Sequence, residues 1–131
     1  MKKLFLLFFA LITIINCSKK DDDIINTDPD PDPTEQNEAP LAVNDTITTQ
    51  EDISVLINVL LNDSDPDNNI DPTTVVVETG ATDGTTTVDA ATGAITYTPN
   101  PEFVGTDTFT YKVCDDGNPS LCDTATVSVR V

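Results

Sequence analysis

Chemistry in this chain has few residues to draw on. There are three cysteines, a dense set of acidic side chains, and no histidine or tryptophan. Asn62, Asp63, Asp65 and Asp67 supply side-chain oxygens at nearly alternate positions, and Asn68, Asn69 and Asp71 follow. Oxygens at this density suit calcium, a hard cation that takes about six to eight of them. The spacing is not that of an EF-hand. Pro66 interrupts the run, Asn68 stands where glycine is needed, and Thr74 stands where a bidentate glutamate closes the loop. Asp115-Asp116 adds a second acidic pair. The candidate metal ligands are Asp63, Asp65, Asp67, Asp115 and Asp116. The alternative is that Asp and Asn serve as turn formers facing water. Catalysis is not expected: without histidine the usual general base is missing, and no glycine-rich stretch resembles a phosphate cradle.

Cys17 follows a basic start, Met1-Lys2-Lys3, and an apolar run of 12 residues from Leu4 to Ile15. Charge followed by a short apolar core is the layout of a secretory signal peptide. The run is too short to cross a hydrocarbon layer, which needs about 20 residues. Ile14-Ile15-Asn16-Cys17 resembles a bacterial lipobox, with Ile14 where Leu is usual and Asn16 where Gly or Ala is commoner. That resemblance implies removal of residues 1–16 and lipidation of Cys17. The partner it implies is the membrane, reached through the acyl chains. Ordinary cleavage nearby, leaving Cys17 as a free thiol, is the alternative. Lys19-Lys20-Asp21-Asp22-Asp23 resembles the acidic export tag of outer-membrane lipoproteins in some Gram-negative bacteria. The expected location is therefore the outer membrane, lipid-anchored and facing the cell exterior.

Residues 17–39 comprise Cys17, the acidic tag and, from residue 24, a linker. Asp28-Pro29-Asp30-Pro31-Asp32-Pro33 alternates like charges with rings that lock φ, which favours extended polyproline II. Too few apolar residues occur here to build a core, so disorder is expected. The remaining 92 residues, 40–131, suffice for one domain. They carry 15 Asp and Glu against Lys112 and Arg130, a net charge of −13. A field of that sign repels nucleic acid and attracts cations. Setting Cys17 aside leaves Cys114 and Cys122. An even pair in an exported chain reads as a disulfide, with two reactive thiols or half of a metal site as alternatives.

The elements that must position these residues are strands. Ile53, Val55, Ile57 and Val59 alternate with polar neighbours. Val75 and Val77 mark a short strand, and Thr85–Val88 and Ala94–Thr98 mark two more. Phe109, Tyr111 and Val113 share one face, as do Ala125, Val127, Val129 and Val131. With a first strand near Leu41–Thr49, the period-two pattern predicts about seven strands and no helix. The fold class expected is all-β: a seven-stranded, antiparallel, Ig-like sandwich.

Ala42-Val43-Asn44-Asp45, Glu51-Asp52 and Val59-Leu60-Leu61-Asn62-Asp63-Ser64-Asp65-Pro66-Asp67 resemble the opening of bacterial cadherin-like, Ig-like repeats of the VCBS-like group. The stretch from Ile95 to Tyr111 resembles their second half. The resemblance implies a β-sandwich of surface proteins and adhesins, here in one copy. In such a sandwich Asp63, Asp65 and Asp67 share one end with Asp115 and Asp116, and Asn44 and Asp45 lie nearby. Glu51, Asp52, Glu102 and Asp107 fall at the other end. The expected function is a surface-anchored structural, adhesion or binding module for a protein or glycan, calcium-stabilised in one reading. The alternative is a periplasm-facing accessory lipoprotein of a polysaccharide-handling complex.

Overall fold

Alternation of apolar and polar residues is strictest over β6 (Thr106–Asp115) and β7 (Cys122–Arg130), and these form the longest ladder, from Thr106 opposite Arg130 to Cys114 opposite Cys122. Phe109, Tyr111 and Val113 face inward from β6, and Ala125, Val127 and Val129 from β7. The structure, a computed structural model, describes residues 36–131. The expected signal peptide, Cys17 and the expected linker as far as residue 35 lie outside the described residues.

The remaining strands are β1 (Asp45–Thr48), β2 (Val55–Ile57), β3 (Ile70–Thr79), β4 (Gly84–Val88) and β5 (Ile95–Pro99). They build two sheets, of order β1-β7-β6-β3 and β2-β5-β4. Inward side chains from both sheets meet in one core. Ile57, Val59, Val75, Ile95 and Tyr97 pack against the inner face of β6 and β7, and Tyr97 stacks on Phe109 with ring centroids 6.3 Å apart. Each buried apolar side chain of this size contributes about 1.5–3 kcal/mol relative to exposure. Among the described residues no helix is long and apolar enough to cross a membrane.

Three expectations need correction. β1 runs parallel to β7, with Asp45 opposite Val127 and Thr48 opposite Arg130, so the sandwich is not purely antiparallel. The strand expected from Ile53 to Val59 shrinks to three residues. Asn58 leaves the β region, and Val59–Leu61 closes a 3₁₀ turn through Leu61 N–H donating to Asn58 O at 3.1 Å. β3 reaches back to Ile70, through a register shift between Asp71 and Val76.

Candidate functional site

Three segments meet at one end of the sandwich: the chain entering β1, the loop between the 3₁₀ turn and β3, and the β6–β7 hairpin. Their acidic side chains organise backbone. Asp65 Oδ1 accepts the Asp67 N–H at 2.7 Å, closing a tight turn. Asp67 Oδ2 accepts the Glu38 N–H at 2.8 Å. Asp115 is 1% exposed and sits inside the hairpin. Its Oδ1 accepts Gly117 N–H at 3.1 Å and Leu121 N–H at 2.9 Å, and its Oδ2 accepts the Asn37 amide at 2.8 Å. Burial alone would raise this carboxyl, but the donors from Leu121, Asn37 and Gly117 outweigh it and hold it below the usual carboxylate value. Asp116 is exposed and contributes its N–H to Asn69 O at 3.0 Å.

The five candidate metal ligands thus share an end without sharing a coordination shell. Asp65, Asp67 and Asp115 spend oxygens on N–H groups of loops and of the incoming chain. Asp63 stands apart from them, accepting Val43 N–H at 2.8 Å and the Tyr111 hydroxyl at 2.8–3.0 Å. Among the described residues no group of three or more His, Cys, Asp or Glu is arranged to hold a metal ion.

One line of contacts lacks a donor. Asn69 and Asn37 stand between the carboxylates of Asp65 and Asp115. Asn37 Nδ2 donates to Asp115 at 2.8 Å, and Asn69 Nδ2 donates to Asn37 Oδ1 at 3.1 Å. Turning the Asn69 amide over lets it donate instead to the two Asp65 oxygens at 2.8 and 3.2 Å, but sets its oxygen against Asn37 Oδ1 at 3.1 Å. Two carboxylates joined in line through two amides need three donors and have two. However the amides are turned, one contact remains oxygen to oxygen.

Asp45, on β1, faces a different problem. Its Oδ2 is buried with no hydrogen-bond partner among the described residues. Burial, then the nearby charge of Asp63, push its carboxyl up to about 6, eased by the Asn62 amide. Asp63 is raised too, first by burial and then by Asp123, against the lowering hydrogen bonds from Val43 and Tyr111. Asp123 Oδ2 accepts Ala42 N–H at 2.9 Å. Tyr111, fully buried, donates to Asp63 and to Val59 O at 3.2 Å. Burial and that carboxylate raise its own hydroxyl well above the ordinary tyrosine value.

The opposite end repeats the device. Asp107 is buried and accepts N–H groups of Thr82 at 3.1 Å, Asp83 at 2.8 Å and Thr108 at 2.8 Å, with the Tyr97 hydroxyl at 3.0 Å. Glu102 N–H donates to Asp52 Oδ1 at 3.2 Å nearby. Cys114 and Cys122 are bonded, with Cα atoms 4.0 Å apart. They face each other on adjacent antiparallel strands, so the bridge staples a hairpin and not the two sheets.

Sequence reading missed Asn37. It lies inside the stretch taken as linker, yet it touches Asp115, Asn69 and Pro119 O. The signal was present in the change from alternating Asp-Pro to Asn37-Glu38-Ala39-Pro40. A family model described as a bacterial Ig domain matches residues 37–130. No curated protein matches the chain. Among solved structures, a nucleoside hydrolase-related hypothetical protein from Saccharophagus degradans, associated with carbohydrate metabolism, is similar at 16% identity and a TM-score of 0.46, over 72% of this chain. The chain spans 26% of the length of that protein.

Proposed function

Because the chain belongs to the bacterial Ig domain family over residues 37–130, a family of structural and binding modules, we propose that it is a lipoprotein displaying one such module on the outer face of the outer membrane, for adhesion or binding of a protein or glycan. The observation that carries this reading is the join between tether and domain. A signal-like segment, Cys17 and an Asp-Pro spacer lead directly to Asn37, Glu38 and Leu41. These hold to the domain through Asp115, Asp67 and Ser64. These contacts fasten the chain from residue 37 onward to the domain. Two or three acyl chains on Cys17 would hold it stably where one would not. Cys17→Ala, followed by fractionation and protease shaving of intact cells, tests it. The expected result is loss of membrane partitioning in the variant, and cleavage of the wild-type domain from outside. A variant still carrying lipid, or a wild-type domain protected until the outer membrane is opened, would reject display in this form. Protection with lipid intact favours the periplasm-facing alternative.

Calcium stabilisation enters as a second reading, supported by the donor-deficient line at Asp65 and Asn69. With the Asn69 amide turned to donate to both Asp65 oxygens, its own oxygen lies 3.1 Å from Asn37 Oδ1 with no proton between them, a spacing found within a cation's shell. Extracellular modules bind calcium at roughly 0.1–1 mM. Millimolar calcium should therefore raise the melting temperature more than magnesium or sodium chloride at matched ionic strength, and Asp65→Asn should remove the difference.

A further inference from the structure

β1 and β2 are edge strands of their respective sheets, and residues of both line one opening. Between them lies an open groove of about 410 Å³, whose lining includes Asp45, Ile47, Leu56, Asn58, Leu61 and Asn62. Leu61 is 87% exposed and Leu56 is 60% exposed. Large aliphatic side chains held out of the core at such exposure weaken a domain's solubility, and two in one groove mark a contact surface. We propose that this groove docks a short extended segment of a partner protein, one that carries a lysine or arginine between apolar residues. This deepens the reading of the domain as a binding module and does not depend on the anchor.

Three features select that occupant. The first is backbone. The outer sides of β1 and β2 have no strand partner among the described residues, and an added extended segment satisfies such edges while seating alternate side chains in the groove. The edges are four and three residues long, enough for a linear segment and too little for a broad sheet edge. The second is apolar contact, from Leu56, Leu61 and Ile47. The third is charge. Asp45 is the one ionisable side chain in the lining, and the charge of Asp63 stands close behind it. An ammonium or guanidinium seated at that end of the groove relieves both carboxylates. A second copy of this chain is the wrong sign, since each domain carries a net charge of −13. Of the two cationic side chains in the domain, Lys112 is already paired with Glu78 at 3.0 Å.

The test uses the full chain, isotopically labelled, titrated with a capped peptide alternating valine and lysine, and with the same peptide carrying glutamate for lysine. The lysine peptide should shift the amide resonances of Asp45–Thr48 and of residues 56–62, and the glutamate peptide should not. Leu61→Asp should weaken binding about tenfold or more, although it adds a negative charge that by itself would attract the lysine peptide. At an 87% exposed position that change should leave the melting temperature in place. Leu61→Met should bind as wild type does. Shifts confined to the loops around Asp67 and Asp116, or equal binding by Leu61→Asp, would overturn the groove while leaving a binding module. The groove is equally overturned by a complete absence of shifts. It also fails if Leu61→Asp perturbs residues 45–62 no differently from remote ones while abolishing a self-association seen without peptide, because the occupant is then a second copy.

Discussion

Asp45→Asn should stabilise the domain at neutral pH and change it little in acid. The carboxyl rises from 3.8 to about 6 on folding, mainly through burial and then through Asp63. A group with a raised folded pKa stabilises in its protonated form. That contribution is complete below pH 3.8 and is lost as pH climbs through 6. At 1.36 kcal/mol per unit the rise is worth about 3 kcal/mol. Asp45 is only partly buried, so solvent screening brings this nearer to about 1.5 kcal/mol. Asn has the same shape, carries no charge, and can offer an N–H toward Asp63. For a domain of this size the expected gain at about pH 7.5 is roughly 5–10 °C in melting temperature. Asp115 and Asp107 act in the opposite sense. Their folded values are lowered by hydrogen bonds, so their contribution is present at neutral pH and is lost as pH falls through the acid range. Wild-type stability should therefore peak in mild acid. The assay is thermal unfolding by circular dichroism from about pH 4 to about pH 8, at fixed ionic strength and with a chelator present. The quantity to read is the difference between variant and wild type, because a net charge of −13 tilts both curves. A difference that stays constant across pH would refute the reasoning, as would a wild-type curve that is flat between about pH 5 and about pH 7.5.

Other outcomes follow from the same geometry. Reducing Cys114–Cys122 should remove roughly 2.5 kcal/mol by the chain-entropy relation yet keep the sheet signal, since eight further register pairs join β6 to β7; thermal unfolding with and without a phosphine reductant reads this. Gly93→Ala should destabilise by about 2 kcal/mol, because φ is +72° and the new Cβ would lie 2.8 Å from Val75 Cγ2 and 2.9 Å from Pro72 O. Gly80→Ala, with nothing within 4 Å, should stay within about 0.5 kcal/mol, so urea melts that show equal losses for the two would refute the contact. Asn37→Ala should leave Asp115 one donor short, lower stability by about 1–2 kcal/mol, and speed proteolysis at residues 36–40 well before the core is cut.

How much of this was legible in the sequence depends on which residues carry it. β6 and β7 could be read residue by residue because one face is buried along their whole length. Every second position from Asp107 to Asp115 is buried, which leaves period two undisturbed. β3 was read too short, since Asp71-Pro72-Thr73-Thr74 has turn chemistry and its pairing with β6 slips by several residues there. The alternation Ile53, Val55, Ile57, Val59 carries a strand expectation as far as Val59, where the chain instead turns. The direction of β1 is not written in its alternation at all, because Ile47 faces inward whether β1 lies parallel or antiparallel to β7. At the acidic end, proximity of the loops followed from topology, but the partners of each carboxylate did not. Asp63 meets Tyr111 and Val43, and Asp115 meets Asn37, through separations of 20–78 positions. No local pattern encodes such pairings. Asn37 was hidden by its position beside a tract rich in Asp and Pro.

The parallel seat of β1 on β7 also decides how the domain bears load. The chain enters at one end of the sandwich and β7 leaves toward the other, with the four pairs from Asp45 opposite Val127 to Thr48 opposite Arg130 between them. Tension drawn between the entering chain at Asn37 and the end of β7 at Arg130 would pull these strands lengthwise past each other. Four backbone pairs then resist in parallel, where a hairpin peeled from its tip would yield one pair at a time. Before that force reaches β1 it must first strip Asn37 from Asp115, Glu38 from Asp67 and Leu41 from Ser64, a graded release ahead of an abrupt one.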